Sequence, residues 1–115
     1  MKENCIFCKI ASKDIAASVV YEDDEILAFR DLDPQAPVHV LIIPKEHIPT
    51  VNDLSEKNEA IAGKLFSVAR DIAKKEKIDK EGYRLVVNCN KNAGQEVFHM
   101  HAHLMGGRSF TWPPG

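Results

Sequence analysis

The amino-acid sequence lacks the features of several classes of protein. No apolar run is long enough to cross a membrane, and the first residues lack the apolar segment of a signal peptide. The formal net charge of −2 offers no large positive field for binding the phosphates of a nucleic-acid polymer. No repeat, low-complexity tract or linker rich in proline, glycine or serine divides the 115 residues. We therefore expect one domain over residues 1–115, a soluble cytoplasmic protein, and no membrane or nucleic-acid partner.

Cysteine is also scarce, with three residues in the chain. In a reducing cytoplasm this number does not indicate a disulfide framework. Cys5 and Cys8 form a Cys-x-x-Cys pair, which is typical of metal binding or redox chemistry, although a bare pair can also be incidental. Cys89 has no spaced partner and is expected to be a buried strand residue.

Two periodicities in the apolar residues predict the secondary structure. A helical period predicts a helix from about residue 56 to residue 77, with Ser55 as its N-cap. The apolar stripe of this helix consists of Ile61, Leu65, Val68 and Ile72. Short segments rich in β-branched residues and bounded by turn residues predict strands at 18–21, 25–30, 38–43 and 83–88, with a hairpin turn at Asp23 and Asp24.

The segment from Phe98 to Met105 alternates polar and apolar residues with a period of two. A strand would place His99, His101 and His103 on one face at steps of about 7 Å, whereas a helix would turn His101 about 200° away from His99. The pattern therefore predicts a strand in an α+β fold: a mainly antiparallel sheet of about five strands, with one long helix on one face and chemistry on the other, at this edge of the sheet.

Three alternating imidazoles suit phosphoryl chemistry. Neutral imidazole is a nucleophile near pH 7, and neighbouring ring N–H groups can stabilise charge on phosphate oxygens. The alternative is a solvated strand face or a metal chelator that resembles an expression tag.

The same residues carry a family resemblance that extends over nearly the whole chain. His99-Met100-His101-Ala102-His103-Leu104-Met105 resembles the signature of the histidine triad (HIT) family, and the match is closest to the Hint branch. The supporting segments are Tyr21 to Asp24, Ala28 to Asp31, Pro34 to Pro37, His39, Ile43 to His47, Val86 to Asn88, Gly94-Gln95 and Trp112 to Gly115. The resemblance implies a HIT-like fold and a homodimer.

The activity that the resemblance implies is that of a purine nucleoside phosphoramidase, which splits a nucleoside monophosphate, AMP or GMP, from an amine through a covalent nucleotidyl-histidine. His101 is the implied nucleophile, His103 lines the phosphate, and His39 helps to fix the ring orientation, although His39 alone would also suit a core position. Asn88 and Gln95 match positions that hydrogen-bond the phosphate or the leaving group; either could otherwise be ordinary loop polarity.

A nucleoside pocket is also implied by the resemblance. Asp31 matches the carboxylate that accepts hydrogen bonds from both ribose hydroxyls, although an aspartate in this turn could instead cap it. Glu96 departs from the animal Hint members, which have serine there, and its carboxylate would repel a phosphate unless it is turned away. The positions that enclose the purine match Ile6, Phe7, Ile15, Phe29 and Leu32, any of which could equally belong to the core.

The cofactor implied by the resemblance is one structural zinc per chain. Some microbial members of the family complete the Cys-x-x-Cys pair with two histidines, which match His47 and His99 here. With Cys5 and Cys8 these residues would form a closed tetrahedral site. His99 then belongs to both the metal site and the triad, so it would act in catalysis mainly through its position.

Two other functions fit the same residues. The nearest alternative is a dinucleoside-polyphosphate hydrolase, which the compact length and the ending Trp112 to Gly115 disfavour. The other is a non-catalytic adaptor that binds zinc and nucleotide, and turnover would separate it from an enzyme. The last segment, 108–115, contains Phe110 and Trp112, and we expect this apolar surface to reach across to the partner of the homodimer unless it folds back on its own subunit.

Overall fold

The backbone of residues 4–115 is described by a computed structural model. Within these residues the strands are β1 (Val19–Glu22), β2 (Ile26–Arg30), β3 (Val38–Pro44), β4 (Tyr83–Val86) and β5 (Ala102–Gly106). The helices are α1 (Ile6–Ala11) and α2 (Glu59–Lys75), with short 3-10 turns at Val51–Asp53 and Lys91–Ala93. Neither α-helix of this described part is long and apolar enough to span a membrane.

The strands form one sheet in the order β1-β2-β3-β5-β4, and every neighbouring pair is antiparallel. The predicted α+β class, with an antiparallel sheet and one long helix, is confirmed. β5, which carries His103, pairs with both β3 and β4 and therefore lies inside the sheet. The expectation that the histidine strand lies at an edge is wrong, because β4 covers its outer side.

Alternation along the strands separates two apolar layers, one on each face of the sheet. The helix α2 covers the first face with the predicted stripe, of which Leu65, Val68 and Ile72 are buried. The strand residues beneath α2 include Ile26, Ala28, Val40, Ile42 and Leu104. The second face carries α1, and its cluster includes Phe7, Ile10, Leu27, Phe29, Leu41 and Ile43. His39 and His103 share this second face, because His39 lies two residues before Leu41 and His103 pairs with Leu41 across the ladder.

The start of α2 differs from the prediction. The helix begins at Glu59 and its N-cap residue is Asn58, not Ser55. Ser55 instead forms a turn that precedes the helix: its amide donates to Asn58 Oδ1 (2.8 Å), and its hydroxyl accepts from the amide of Lys57 (3.3 Å). A serine before a helical pattern can therefore cap a turn without capping the helix.

Two further differences from the prediction concern Cys89 and the first helix, α1. β4 ends at Val86, so Cys89 lies beyond the strand and is only partly buried, and the prediction of a buried strand cysteine is wrong. The helix α1 was not predicted from the sequence, because six residues are too few to display a helical period. It begins after Cys5, whose Sγ accepts a hydrogen bond from the amide of Cys8 (3.4 Å).

The predicted hairpin turn between β1 and β2 is confirmed, and it is built around the carboxylate of Asp23. Asp23 Oδ1 accepts from the amides of Glu25 (2.7 Å) and Ile26 (2.8 Å), and Oδ2 accepts from the Tyr21 hydroxyl (2.6 Å). Lys64 Nζ of α2 lies 3.0 Å from Oδ2. Burial acts to raise the pKa of Asp23, but these hydrogen bonds outweigh it and hold the pKa well below its usual range.

Replacing Asp23 with asparagine should lower the free energy of unfolding at pH 7 by about 1–3 kcal/mol, because it removes a charged acceptor from the turn. The lowered pKa means that this stabilisation is complete above the unfolded pKa of about 4 and is lost as the pH falls toward the lower folded value. Urea unfolding of both proteins at pH 7 and pH 3 checks this. The difference in free energy of unfolding between the two proteins should be smaller at pH 3 than at pH 7. The matched control is Asp24→Asn, because Asp24 is exposed. An equal difference at both pH values would contradict the role of the Asp23 carboxylate in the turn.

Candidate active site

Three imidazoles meet on the second face of the sheet. The ring centroids of His101 and His103 are 5.1 Å apart, and those of His39 and His103 are 5.2 Å apart. His103 belongs to β5 and His39 to β3, whereas His101 precedes β5. The structure therefore brings together the three histidines that the sequence assigned to catalysis.

The strand expected for the histidine segment is shorter than predicted. β5 begins at Ala102, and His99 and His101 lie before it in a segment that bends at residues 97–99. The amide of Met100 donates to the carbonyl of Ile48 (2.6 Å), so this segment is still held by the backbone. The side chain of His99 lies against Cys5 and Cys8, with its Nδ1 3.4 and 3.5 Å from their Sγ atoms.

The tautomer of His101 follows from its hydrogen bond to the backbone. Its Nδ1 lies 2.8 Å from the carbonyl oxygen of His99. A carbonyl oxygen can only accept, so Nδ1 carries the proton and Nε2 of the neutral ring keeps its lone pair. Burial lowers the pKa of His101, against the opposing effect of this hydrogen bond, and so favours the neutral ring.

The tautomer of His103 is set by a chain of hydrogen bonds through His39. The amide of Gln35 donates to His39 Nδ1 (3.0 Å), so the proton of a neutral His39 is on Nε2. His39 Nε2 lies 3.0 Å from His103 Nδ1, which then accepts, leaving the N–H of His103 on Nε2. Burial, followed by the neighbouring His101 and His39, lowers the pKa of His103 to about 4. The site thus pairs a lone pair on His101 with an N–H donor on His103.

These rings line a cleft of about 370 Å³. Among the described residues that line it there are three carboxylates and no lysine or arginine. The lining residues are Phe7, Asp31, Asp33, Gln35, His39, Leu41, Asn88, Gly94, Glu96, Val97, His101 and His103. The cleft therefore relies on neutral N–H donors, and not on cationic side chains, to bind an anion.

The residues expected to enclose a purine are divided between different surroundings. Phe7 lines the cleft, and Phe29 is buried behind it at 5.5 Å between ring centroids. Ile6, Ile15 and Leu32 have exposed side chains and do not line this cleft. Their contact with a base stays a prediction.

The predicted polar residues also differ in their surroundings. Asp31 lines the cleft with Oδ2 3.4 Å from His39 Nε2, while its Oδ1 accepts from the amide of Asp33 (2.8 Å), so it caps a turn as well. Asn88 lines the cleft. Gln95 does not: its buried side chain accepts from the amide of Asn90 and donates to the carbonyls of Pro49 and Val97. Gln95 fixes the loop, and its contact with a phosphate or leaving group stays a prediction.

Sequence reasoning missed Gln35 and Leu41 at this site. The main-chain amide of Gln35 orients His39, and any residue other than proline supplies such an amide, so no side-chain signal identifies it. Leu41 follows His39 with the period of two along β3, which places it beside the cleft. That signal was present in the sequence.

A second cluster lies next to the imidazoles and could hold a metal ion. The ligand atoms of Cys5, Cys8, His47 and His99 all lie within 4.8 Å of one another. His99 Nδ1 is 3.4 Å from Cys5 Sγ and 3.5 Å from Cys8 Sγ, and His47 Nδ1 is 3.2 Å from Cys8 Sγ. Sulfur and nitrogen ligands of one tetrahedral zinc ion would be separated by roughly 3.5 Å, so these distances fit such an ion.

The surroundings of His99 also suit a metal ligand. Its Nε2 lies 2.7 Å from the carbonyl of Pro44, which places the proton there and leaves Nδ1 free to coordinate. Burial lowers the pKa of His99 to about 4, so the ring is neutral, as a ligand must be. A second group, Asp31, His39 and His103, also has closely spaced ligand atoms. There the direct hydrogen bond between the two imidazoles occupies the nitrogen atoms, so we interpret it as a hydrogen-bonded chain.

Phe7 of α1 forms a wall that is shared by two clusters. One is the possible metal-binding cluster of Cys5, Cys8, His47 and His99, called the metal cluster below, and the other is the group of imidazoles in the cleft. Its ring centroid lies 6.0 Å from that of His99 and 5.0 Å from that of His101, both edge to face. The backbone carbonyl of His99 also holds the ring of His101. The two clusters are therefore mechanically connected through α1 and the bent segment.

Comparison with known proteins places this arrangement in a family. A family model described as the HIT domain matches residues 12–110. The chain belongs to the HIT family. The match includes His39, Asp31, His99, His101 and His103, so the predicted family and the predicted HIT-like fold are both confirmed.

Relatives in the HIT family cover almost the full length of the chain. A purine nucleoside phosphoramidase of Escherichia coli is 52% identical over 108 residues, which are 94% of this chain and 91% of the relative. A crystal structure of a HIT family hydrolase from Legionella pneumophila superposes with a TM-score of 0.95 at 54% identity, covering 97% of this chain and all of that one. A histidine triad protein from Clostridium difficile superposes with a TM-score of 0.94 at 41% identity, covering 96% of each chain.

The protonation of His103 can be tested by following its ring nitrogens with ¹⁵N NMR as a function of pH. We expect a midpoint near pH 4, with the Nε2–H tautomer above it, because burial disfavours the charged ring. The unfolded ring takes up its proton near pH 6.5, so His103 should also lower stability as the pH falls from about 6.5 to 4. The variant His103→Asn shows which ¹⁵N signals belong to His103. A titration midpoint of those signals between pH 6 and 7 in the folded protein would contradict the proposed effect of burial.

Proposed function

We propose that this chain hydrolyses nucleoside 5′-phosphoramidates through a covalent nucleotidyl-histidine on His101. The observation that carries the proposal is the pairing of two tautomers: Nδ1–H of His101 is held by the His99 carbonyl, which frees Nε2 for attack, and His103 offers an N–H beside it. The relative from Escherichia coli named purine nucleoside phosphoramidase supports the same reaction. The nucleoside is a purine nucleoside, so the nucleotide product is AMP or GMP.

In the first step, the lone pair of His101 Nε2 forms a bond to phosphorus, and the bond from phosphorus to the amine nitrogen breaks. The electron pair of that bond goes to the departing nitrogen, which takes a proton from water in the open cleft and leaves as the amine. His103 Nε2–H donates to a phosphoryl oxygen and stabilises the charge that develops there. The His99 carbonyl stabilises the positive charge on the substituted imidazole of His101.

In the second step, water attacks the phosphorus of the nucleotidyl-imidazole. The bond between phosphorus and His101 Nε2 breaks, its electron pair returns to the ring, and one proton is released to solution. The products are the nucleoside monophosphate and free enzyme. In this scheme Asp31 accepts hydrogen bonds from the ribose hydroxyls, Asn88 contacts the phosphate, and His39 keeps the ring of His103 in its donor tautomer.

The charges in the cleft favour this reaction over hydrolysis of a dinucleoside polyphosphate. The leaving group of a polyphosphate carries several negative charges, and the described residues lining the cleft offer three carboxylates and no cationic side chain to receive it. An amine leaving group meets no such repulsion. A non-catalytic adaptor is the other candidate, and turnover of a phosphoramidate by the wild-type protein would exclude it.

We also propose that the metal cluster holds one structural zinc through Cys5, Cys8, His47 and His99. The zinc would supply a cross-link between α1 and the segment before β5, and with four protein ligands it would leave no open position for chemistry. The chain's own residues perform the reaction. His47 and His99 serve as ligands through Nδ1, and Phe7, carried between the two cysteines, is held against His101.

We also propose that the chain forms a homodimer and that it is located in the cytoplasm. The C-terminal segment divides into two parts: the Phe110 ring lies against Arg84 and Arg108 of its own chain, whereas the Trp112 side chain is 84% exposed. Arg84 also donates to the carbonyl of Thr111 (3.0 Å). The exposed tryptophan supports a partner surface for the end of the tail, while the residues before it fold back.

Replacing His101 with alanine should reduce hydrolysis of a fluorogenic adenosine phosphoramidate by about a thousandfold or more, because it removes the atom that bonds to phosphorus. Binding of AMP should remain, since other residues form most of the cleft. Rates and calorimetric binding are measured on the same preparations. A variant that keeps more than about a tenth of the wild-type rate would exclude His101 as the nucleophile. No turnover by the wild type would favour the adaptor.

Replacing Cys8 with serine should remove the bound zinc and lower the melting temperature by more than about 5 °C, because metal binding is coupled to folding. Metal analysis by mass spectrometry and thermal unfolding give the two readouts. Cys89→Ser is the matched control, since Cys89 lies outside the cluster. An absence of zinc from wild-type protein purified without chelators would argue for an incidental cysteine pair.

A further inference from the structure

The loop between β2 and β3 supplies the amide that orients His39, and its own hydrogen bonds are local. The amide of Asp33 donates to Asp31 Oδ1 (2.8 Å), and the side chain of Gln35 donates to the carbonyl of Asp33 (3.0 Å). At the base of the loop, the amide of Asp31 donates to the carbonyl of His39 (3.0 Å). These contacts shape the loop but do not attach Gln35, which is exposed, to another part of the chain.

Arg108, which follows β5, provides that attachment. Its Nε donates to the carbonyl oxygen of Gln35 (3.0 Å). The amide of the same residue donates to His39 Nδ1 (3.0 Å). Because only two soft dihedral angles separate the amide from the carbonyl within one residue, the two hydrogen bonds together restrict the backbone of Gln35.

The guanidinium of Arg108 is itself held in place. Its Nη1 donates to the carbonyl of Ser109 (2.9 Å), and its Cζ lies 4.2 Å from the centroid of the Phe110 ring. No carboxylate of residues 4–115 lies within ion-pair distance of it. Arg108 therefore uses its planar fork of donors on backbone carbonyls, and it is oriented before it meets Gln35.

Gly107 gives the same segment a second contact with the loop. Its φ is +91°, and a Cβ atom placed on it would lie 2.9 Å from Cβ of Pro37. The backbone after β5 thus passes directly against Pro37, at a distance that only glycine allows. Two neighbouring residues, Gly107 and Arg108, therefore fix the loop at Pro37 and at Gln35.

We propose, on the basis of the function argued above, that Arg108 is a positioning residue: it holds the Gln35 amide on His39 and so keeps the proton of His103 on Nε2. Without this amide, the proton of His39 can move to Nδ1. His39 Nε2 would then accept from His103 Nδ1, and His103 would turn a lone pair instead of an N–H toward the phosphoryl oxygen. Arg108 does not line the cleft, so it acts through Gln35.

Two features set the size of this effect. Asp31 Oδ2 lies 3.4 Å from His39 Nε2 and favours a proton on the same nitrogen, although this distance is longer than that of a typical hydrogen bond. Arg108 is exposed, so water competes for the Gln35 carbonyl. Loss of Arg108 should therefore shift the population of tautomers without inverting it.

Replacing Arg108 with methionine removes the donor and keeps an unbranched apolar stem. We expect kcat for an adenosine phosphoramidate to fall about three- to tenfold, as for the loss of one hydrogen bond. KM should change less than about twofold, because the His103 N–H acts mainly on charge that develops in the transition state. Arg108→Lys, which can still donate to the Gln35 carbonyl, should have a kcat between those of the methionine variant and the wild type.

Arg84→Met is the matched control. Arg84 also packs on the Phe110 ring, at 5.0 Å, and donates to a backbone carbonyl of the same segment, that of Thr111. Its loss removes the same kinds of contact without touching Gln35, so kcat should stay within about twofold of the wild type. An equal fall of kcat in Arg84→Met and Arg108→Met would show that both act by loosening the C-terminal segment, and the inference would be wrong.

The tautomer of His39 gives a readout that does not require turnover. In ¹⁵N spectra at pH 7 we expect the wild type and Arg84→Met to carry the His39 proton on Nε2, and Arg108→Met to share it between both nitrogens. An unchanged His39 tautomer in Arg108→Met would overturn this inference and leave the proposed function intact. If the wild type hydrolyses no phosphoramidate, the proposed function is wrong and the catalytic role of Arg108 falls with it, even where the tautomer shifts as expected.

Discussion

The hydrogen bond from His101 Nδ1 to the carbonyl of His99 is the interaction on which the proposed chemistry depends. In a regular strand, carbonyl groups lie near the plane of the sheet and side chains stand roughly perpendicular to it, which disfavours a contact between a ring and the carbonyl two residues earlier. The bent segment before Ala102 makes this contact possible. Two backbone groups hold the bend in place: the carbonyl of Pro44 accepts from the His99 ring, and that of Ile48 accepts from the amide of Met100. The strand therefore begins just after His101, the proposed nucleophile.

The same bend explains how His99 serves two clusters. Its side chain lies among the sulfur atoms of Cys5 and Cys8, while its main chain fixes His101. The expectation that His99 acts in catalysis mainly through its position stays a prediction. Phe7 reinforces the connection between the two clusters, because this residue, whose ring packs on His101, lies between Cys5 and Cys8 in the first turn of α1. Loosening the cluster of Cys5, Cys8, His47 and His99 would therefore move both the wall of the cleft and the residue whose carbonyl holds His101, the proposed nucleophile.

The sheet and the long helix could be predicted from the sequence because each displays its own period over several residues. The six residues of α1 display none, and what stabilises this helix is tertiary: a cysteine cap and the packing of Phe7. The alternating histidines correctly indicated that His101 and His103 lie together, but the alternation did not reveal the bend before β5 or the contact of His99 with Cys5 and Cys8. The roles of Asp31 and Gln95 came from resemblance. Their hydrogen-bond partners, Asp33 in one case and three backbone groups in the other, depend on loop geometry that periodicity does not encode.

A cleft that binds a phosphoryl group without lysine or arginine places a limit on its substrates. Neutral imidazole and amide N–H groups can stabilise the single negative charge of a nucleotide diester or phosphoramidate, but the accumulated charge of a polyphosphate normally requires cations from the protein or from Mg²⁺. His103 can remain a neutral donor because burial disfavours its protonated form, and His39 holds the matching tautomer. The carboxylates of Asp31, Asp33 and Glu96 strengthen the selection, since each adds repulsion toward further negative charge on the substrate. The absence of cationic lining residues from the described cleft is therefore part of its specificity, and it connects the choice of nucleophile to the choice of leaving group.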